Sequence, residues 1–197
     1  MKALAIFDFD GTITRHDTFF SFGRFSLGFL RFYMKLALSV PTFLKWKFGR
    51  ITNSQAKEKI FSKLYGGFRL DEFSNYCQKF VTVVDKDIRN EILCKLQWHQ
   101  NQGHHIIIAS ASIENWIIPW ANSHSIHDVI ATKIETSEKG ILTGRFSTAN
   151  CYGQEKVARI RKTIHKLENH EIWVYSDNAS ADNPLLSIAQ HTYIVKT

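Results

Sequence analysis

The chain has 197 residues, of which 25 are basic and 18 acidic, so its formal net charge is +7. A hydrophobic fraction of 44% argues against a disordered chain, and this length fits one domain, or one domain with an insertion. The three cysteines lack CxxC spacing, which argues against a disulfide scaffold or a zinc ribbon and favours a reducing compartment. Because acidic residues follow the first lysine too closely for a secretory signal, we expect a cytoplasmic protein.

Short apolar runs alternate along the chain with segments of helical periodicity. Strands are predicted at 3–8, 104–110, 128–134, 141–146, 171–177 and 192–196. Helices are predicted at 18–48 and 54–84, with breaks at 48–50 and 65–67, and then at 86–102, 114–124, 156–167 and 183–190. Short apolar strands that alternate with helices are typical of βαβ units, so we predict an α/β fold with a parallel sheet.

A long helical segment directly after the first strand interrupts this alternation, as an inserted cap does. We therefore expect a core formed by residues 1–15 and 85–197, with residues 16–84 as a helical cap.

Three of the predicted strands end in polar residues. Asp8 and Asp10 end the first, Ser110 ends the second, and Asp177 ends the strand near the C-terminus. In open α/β sheets ligands bind beyond the carboxyl ends of the strands, so these side chains are expected to share one site. Two carboxylates at this spacing bind a divalent metal, divide into nucleophile and acid/base, do both, or simply end the strand.

The net positive charge of the chain lies in one segment. Residues 19–70 contain ten Lys and Arg side chains and a single acid, Glu58, among many aromatic and aliphatic residues. Pro41 interrupts the most apolar stretch, and no run of about 18 residues within the segment is free of charge, which argues against a transmembrane helix there. Such a segment either contacts an anionic membrane or substrate, or forms an ordinary helical bundle with solvated lysines. The membrane interpretation predicts a location peripheral to its inner face.

A third interpretation, from a different functional class, is a basic nucleic-acid-binding module. It predicts steeply salt-dependent binding of DNA or RNA. The basic residues are interleaved with aliphatic ones at helical spacing, and no known nucleic-acid motif appears, so we expect no nucleic-acid partner.

Four motifs occur in order: FDFDGT at 7–12, the Ser that ends IIIAS, Lys156 at the start of a helix, and SDNASADNPLL at 176–186. This order resembles the haloacid dehalogenase (HAD) superfamily of phosphohydrolases, over nearly the whole chain. The insert resembles the C1 caps of subfamily IB, which contains phosphoserine phosphatases, and CYGQEKVARI is similar to the phosphatidylglycerophosphatase C branch. The resemblance implies a Rossmann-like core with an inserted α-helical cap and Mg²⁺-dependent phosphatase activity.

The resemblance also implies a role for each matching residue. Asp8 would be the nucleophile that forms an aspartyl-phosphate, and Asp10 the general acid and base. Thr12, Ser110 and Lys156 would bind the phosphoryl group. The magnesium site would use the carboxylates of Asp8, Asp177 and Asp182 and the backbone carbonyl of Asp10, with Asp182 in direct or water-mediated contact.

Asp17 stands where phosphoserine phosphatases have a glutamate that binds the substrate amine, so it is a candidate specificity residue. The implied substrate is a small phosphorylated metabolite such as a phosphoserine-like ester. The alternative is a phosphorylated lipid headgroup, such as phosphatidylglycerophosphate at the membrane surface, which would explain the basic aromatic cap.

Overall fold

The computed structural model describes residues 2–126 and 128–195 of the chain. The strands in this part of the chain are β1 Lys2–Phe7, β2 His105–Ile113, β3 Asp128–Thr132, β4 Ile134–Thr136, β5 Leu142–Phe146, β6 His170–Ser176 and β7 His191–Ile194. Five of them form a parallel sheet in the order β3-β2-β1-β6-β7, while β4 and β5 form a separate antiparallel pair. The predicted α/β fold with a parallel sheet is confirmed.

The α-helices of the described chain all lie between β1 and β7 in sequence. They are α1 Thr18–Leu27, α2 Phe29–Ala37, α3 Val40–Lys47, α4 Asn53–Tyr65, α5 Leu70–Asp87, α6 Asn90–Asn101, α7 Glu114–Ser123, α8 Gln154–Thr163 and α9 Asn183–Leu186. None of the helices in the described part of the chain is long and apolar enough to cross a membrane.

The central strand β1 is buried on both faces from Leu4 to Phe7, which explains why these four residues are apolar. Ala5 and Phe7 pack into one apolar cluster, together with side chains from α6 and α7. Leu4 and Ile6 pack into a second cluster on the opposite face, against Val157 and Ile160 of α8 and other residues. Alternate residues of a strand point to opposite faces, so a single strand contributes to both cores.

The segment between β1 and β2 differs from the prediction. Residues 18–48 form three helices, α1, α2 and α3, instead of one. The first break lies at Gly28, which has a φ of 75° and ends α1. The predicted breaks at 48–50 and 65–67 are confirmed, since α3 ends at Lys47 and α4 at Tyr65. The last helix of the segment continues to Asp87, and the boundary of the cap at 16–84 stays a prediction.

The register of the sheet brings the predicted strand ends together. Phe7, the last residue of β1, lies beside Ile108 of β2 and Tyr175 of β6. Asp8, the next residue, is therefore level with Ala109 of β2, one residue before Ser110, and with Ser176 at the end of β6. The candidate site lies at this edge because parallel strands present their carboxyl ends on the same side.

Candidate active site

A buried lysine lies between two carboxylates at the centre of the site. Lys156 Nζ is 2.9 Å from Asp8 Oδ1 and 2.8 Å from Asp182 Oδ1. Asp182 Oδ2 also accepts a 2.7 Å hydrogen bond from the Ser176 hydroxyl. Burial alone lowers the pKa of Lys156, but the two carboxylates outweigh burial and hold that pKa above its ordinary value. The lysine is therefore charged, and Asp182 is occupied in holding it.

Asp10 is oriented by a threonine of the first helix. The backbone amide and the hydroxyl of Thr18 both donate to Asp10 Oδ1, at 2.8 and 2.5 Å. The same hydroxyl accepts from Trp116 Nε1 at 3.1 Å and lies 3.1 Å from the Ser112 hydroxyl. Asp10 is thus attached to both the first helix and the core.

Asp177 packs closely against the turn that follows the first strand. Gly11 has a φ of 76°, and a Cβ atom there would lie 2.1 Å from Asp177 Oδ2. The adjacent Thr12 hydroxyl donates to Asp177 Oδ1 at 3.3 Å, and Arg89 Nε donates to the Gly11 carbonyl at 2.9 Å. Only glycine permits both this conformation and this approach.

Ser110 lies beside these groups on the second strand. It is 1% exposed, and its hydroxyl oxygen accepts a 3.0 Å hydrogen bond from the backbone amide of Ser112. Ser110 and Asp8 line the same cavity, and the Ser110 hydroxyl remains able to donate a hydrogen bond.

One cavity of about 250 Å³ brings most of the predicted residues together. Seven of the predicted residues line it: Asp8, Asp10, Asp17, Ser110, Lys156, Asp177 and Asp182. Thr12 does not line it, but its hydroxyl bonds to Asp177, which does. We call this the catalytic cavity. Further lining residues include Asn53 and Lys57 of α4, which the motifs did not reveal.

Lys57 links the helical segment to the core. Its Nζ donates to the carbonyl of Ala111 at 2.8 Å, directly after Ser110. Burial lowers the pKa of Lys57, while Asp10, Asp17 and Asp8 act in the opposite direction. In the sequence Lys57 is one of ten similar basic residues, and no spacing distinguishes it; the contact depends on how α4 packs.

The charges of the catalytic cavity fit a bound divalent cation. Five carboxyl groups and two lysines line it, so acidic groups outnumber basic ones by three. Burial raises the pKa of Asp8 to about 7, which Lys156 only partly offsets. Within the described residues no three His, Cys, Asp or Glu side chains form a complete metal site. Mg²⁺ does not require one, because it is held by one or two carboxylates together with water and phosphate oxygens.

Comparison with known proteins identifies a family and relatives. A family model described as haloacid dehalogenase-like hydrolase matches residues 5–187. Protein CicA of Caulobacter vibrioides is 25% identical over 193 residues, which cover 94% of this chain and 82% of CicA. A histidinol-phosphatase of Neisseria meningitidis is 22% identical over 215 residues, which cover 99% of this chain and 90% of that protein.

Solved structures show the same fold. A protein of unknown function from Bordetella pertussis aligns with a TM-score of 0.84 and 21% identity, over 98% of this chain and 90% of that chain. A phosphoserine phosphohydrolase-like protein from Francisella tularensis aligns with a TM-score of 0.65 and 16% identity, over 98% of this chain and 95% of that chain.

Proposed function

The chain is a phosphatase of the haloacid dehalogenase-like hydrolase family, and we propose that it hydrolyses phosphomonoesters of small molecules through an aspartyl-phosphate on Asp8. The observation that carries this proposal is that Lys156 Nζ lies within 3 Å of a carboxylate oxygen of Asp8 and of Asp182, at the carboxyl end of a parallel sheet. The relative from Neisseria meningitidis is named a histidinol-phosphatase, and this name of a small phosphorylated substrate supports the same class of substrate here.

In the first half of the reaction a carboxylate oxygen of Asp8 attacks phosphorus, and the bond from phosphorus to the alcohol oxygen breaks. Asp10 donates its proton to that departing oxygen. In the second half Asp10 takes a proton from water, which attacks the aspartyl-phosphate and releases inorganic phosphate and free Asp8. The two hydrogen bonds from Thr18 hold Asp10 in the position that both transfers need.

The negative charge of the transferred group is balanced by nearby donors. Lys156 is positioned to neutralise charge on both Asp8 and the phosphoryl group, and the Ser110 hydroxyl to donate to a phosphoryl oxygen. Thr12, a predicted phosphate ligand, has its hydroxyl on Asp177, so we assign it the orientation of that carboxylate.

Phosphatases of this family are generally metal-dependent, and we propose Mg²⁺ as the ion. Asp8, the backbone carbonyl of Asp10, and Asp177 would hold it, because Asp182 is already bonded to Lys156 and Ser176. Bound there, the ion would offset repulsion between the anionic nucleophile and the anionic phosphate.

The test is phosphate release with and without Mg²⁺, for the wild type and for Asp8→Asn. We expect release that requires the metal and that falls by more than a thousandfold in the variant, since an amide oxygen is not a nucleophile of this kind. Asp71→Asn changes an exposed acid that does not line the catalytic cavity. It is the matched control and should keep full activity. Release that persists in Asp8→Asn would show that Asp8 is not the nucleophile.

We also propose that the second helix places the enzyme on an anionic membrane. Phe29, Leu30 and Met34 are 72%, 73% and 61% exposed, and their spacing puts them on one face of α2. Leu38, directly after α2, and Phe48, directly after α3, are 68% and 73% exposed. We call these five side chains the apolar surface. Arg31, Lys45, Lys47 and Arg50 are close to them in the sequence and are exposed, and basic residues together with exposed apolar ones are typical of interfacial binding.

Co-sedimentation with liposomes tests the apolar surface. We expect binding to vesicles that contain phosphatidylglycerol, weaker binding to neutral phosphatidylcholine vesicles, and loss of binding in Leu30→Glu. Ile194→Glu, at a 40% exposed residue of β7, supplies the control and should bind as the wild type does. Equal binding to both kinds of vesicle, or no effect of Leu30→Glu, would contradict the proposal.

A further inference from the structure

A second cavity adjoins the catalytic cavity inside the helical segment. It has a volume of about 340 Å³ and shares three lining residues with the catalytic cavity, Asp17, Asn53 and Lys57. The cavity that contains Asp8 therefore meets this second cavity at those three side chains.

The remaining walls of the second cavity are apolar. Six apolar side chains line it, and four of them are aromatic: Phe19, Phe20, Phe43 and Trp46. We call it the aromatic cavity. Apart from the three shared residues, none of its lining residues in the described chain has a charged side chain. Away from these three residues, a charged or strongly hydrated group would lose water without gaining a partner.

The border between the two cavities is held in place. Lys57 Nζ is bonded to the Ala111 carbonyl, and lies 5.8 Å from the centre of the Phe19 ring. Asp17 Oδ1 accepts a 2.7 Å hydrogen bond from the Phe19 backbone amide, at the start of α1. The polar groups of the border thus stand between a phosphate site on one side and an aromatic wall on the other.

From this arrangement we infer that the aromatic cavity binds the alcohol portion of the substrate, and that this portion is an apolar chain or ring. The inference rests on the proposed function and deepens it by naming the substrate class. A cavity of about 150 Å³ already holds a benzene ring, so about 340 Å³ accepts a larger apolar group. The substrate class is a phosphomonoester of an apolar alcohol, in preference to a small zwitterionic ester such as phosphoserine.

Kinetics with alkyl monophosphates test the inference. The series runs from ethyl to octyl phosphate, below the concentration at which micelles form, and phosphoserine is measured beside it. Each methylene group that becomes buried contributes enough free energy for about a fourfold gain, so kcat/KM is expected to rise about fourfold per methylene until the cavity is filled. A flat series, or a preference for phosphoserine over octyl phosphate, would overturn the inference.

Variants of the cavity wall show whether the rise in kcat/KM along the series arises in the aromatic cavity. In Trp46→Ala and in Phe43→Ala, the ratio of kcat/KM for octyl phosphate to kcat/KM for ethyl phosphate is expected to fall by at least tenfold. Val40→Ala changes a half-exposed residue of the same helix that does not line the cavity, and should behave as the wild type. An unchanged series in both aromatic variants would also overturn the inference.

Binding separates this inference from the proposed reaction. Calorimetry with ethyl and octyl phosphonate, which are not hydrolysed, is carried out on the Asp8→Asn protein. Tighter binding of octyl phosphonate that is lost in Trp46→Ala supports the cavity even if no ester is hydrolysed. Equal binding of the two phosphonates rejects the cavity even if Asp8 is the nucleophile.

Discussion

Thr18 links Asp10 to the rest of the molecule through one hydroxyl. That hydroxyl donates to the Asp10 carboxylate and accepts from the indole of Trp116, and it is fully enclosed. A hydrogen bond to a charged group is worth about 1.5–3 kcal/mol, and an orientation error at the acid affects the chemical step more than binding. Thr18 is therefore a positioning residue for Asp10.

We expect Thr18→Val to lower kcat by about tenfold to a hundredfold with little change in KM. Thr18→Ser keeps the hydroxyl and should restore most of the rate, which a purely structural role for the methyl group would not allow. Thr163→Val, at an exposed threonine of α8, is the control in the same steady-state assay. Full kcat in Thr18→Val, or failure of serine to restore it, would contradict this role.

At the scale of the element, the first two helices approach closely because Gly23 has no side chain. A Cβ atom at Gly23 would lie 2.2 Å from the ring of Phe32, which is fully buried on α2. This contact keeps α2 against α1 with its apolar surface turned outward. The packing at this glycine thus affects two features: α1 carries Phe19 and Phe20 of the aromatic cavity, and α2 carries part of the apolar surface.

Gly23→Ala decides between two effects of opposite sign. Alanine in a helix interior is favoured over glycine by about 1 kcal/mol, whereas overpacking a core costs about 1–3 kcal/mol. Because the Phe32 ring is enclosed, we expect the clash to dominate and the free energy of unfolding in urea to decrease. Arg24→Ala, on the exposed face of the same helix, should change it by less than about 0.5 kcal/mol. An increase in stability for Gly23→Ala would show that the helices separate without cost.

At the scale of the whole molecule, a buried histidine couples folding to pH. His99 is fully enclosed between α6 and the sheet, with its Nε2 2.8 Å from the Tyr175 hydroxyl and its Nδ1 2.7 Å from a ring nitrogen of His104. Burial, followed by the charges of His104 and Lys95, lowers the pKa of His99 to about 4. The folded protein therefore keeps this ring neutral where the unfolded chain protonates it.

The sign of the pH effect follows from that difference. Above about pH 6.5 neither state binds the proton, and between 6.5 and 4 only the unfolded state binds it, so stability falls as the pH is lowered. We expect urea unfolding to show a steeper loss between pH 6.5 and 4.5 in the wild type than in His99→Gln, which has no titrating ring. Parallel curves for the two proteins would exclude His99 as the source.

Local pattern was sufficient to predict the fold class, which is confirmed, and to bring the candidate site residues to one edge of the sheet. Apolar runs that end in Asp8, Ser110 and Asp177 specify strands whose carboxyl ends meet in a parallel sheet, and this property needs no tertiary information. Lys156 was identified by the order of its motif, and it lies against Asp8 across 148 residues of chain. Its role in the reaction stays a prediction.

Only the tertiary structure decided which partners these residues have. Thr18 meets Trp116 across 98 residues, Lys57 meets Ala111 across 54, and Asp182 holds the lysine while Asp177 faces Gly11. The two cavities likewise exist only where α3 and α4 pack beside the strand ends. The physical reason is that periodicity reports which face of an element is buried, whereas contacts between distant segments depend on the packing of whole helices, which no local pattern encodes.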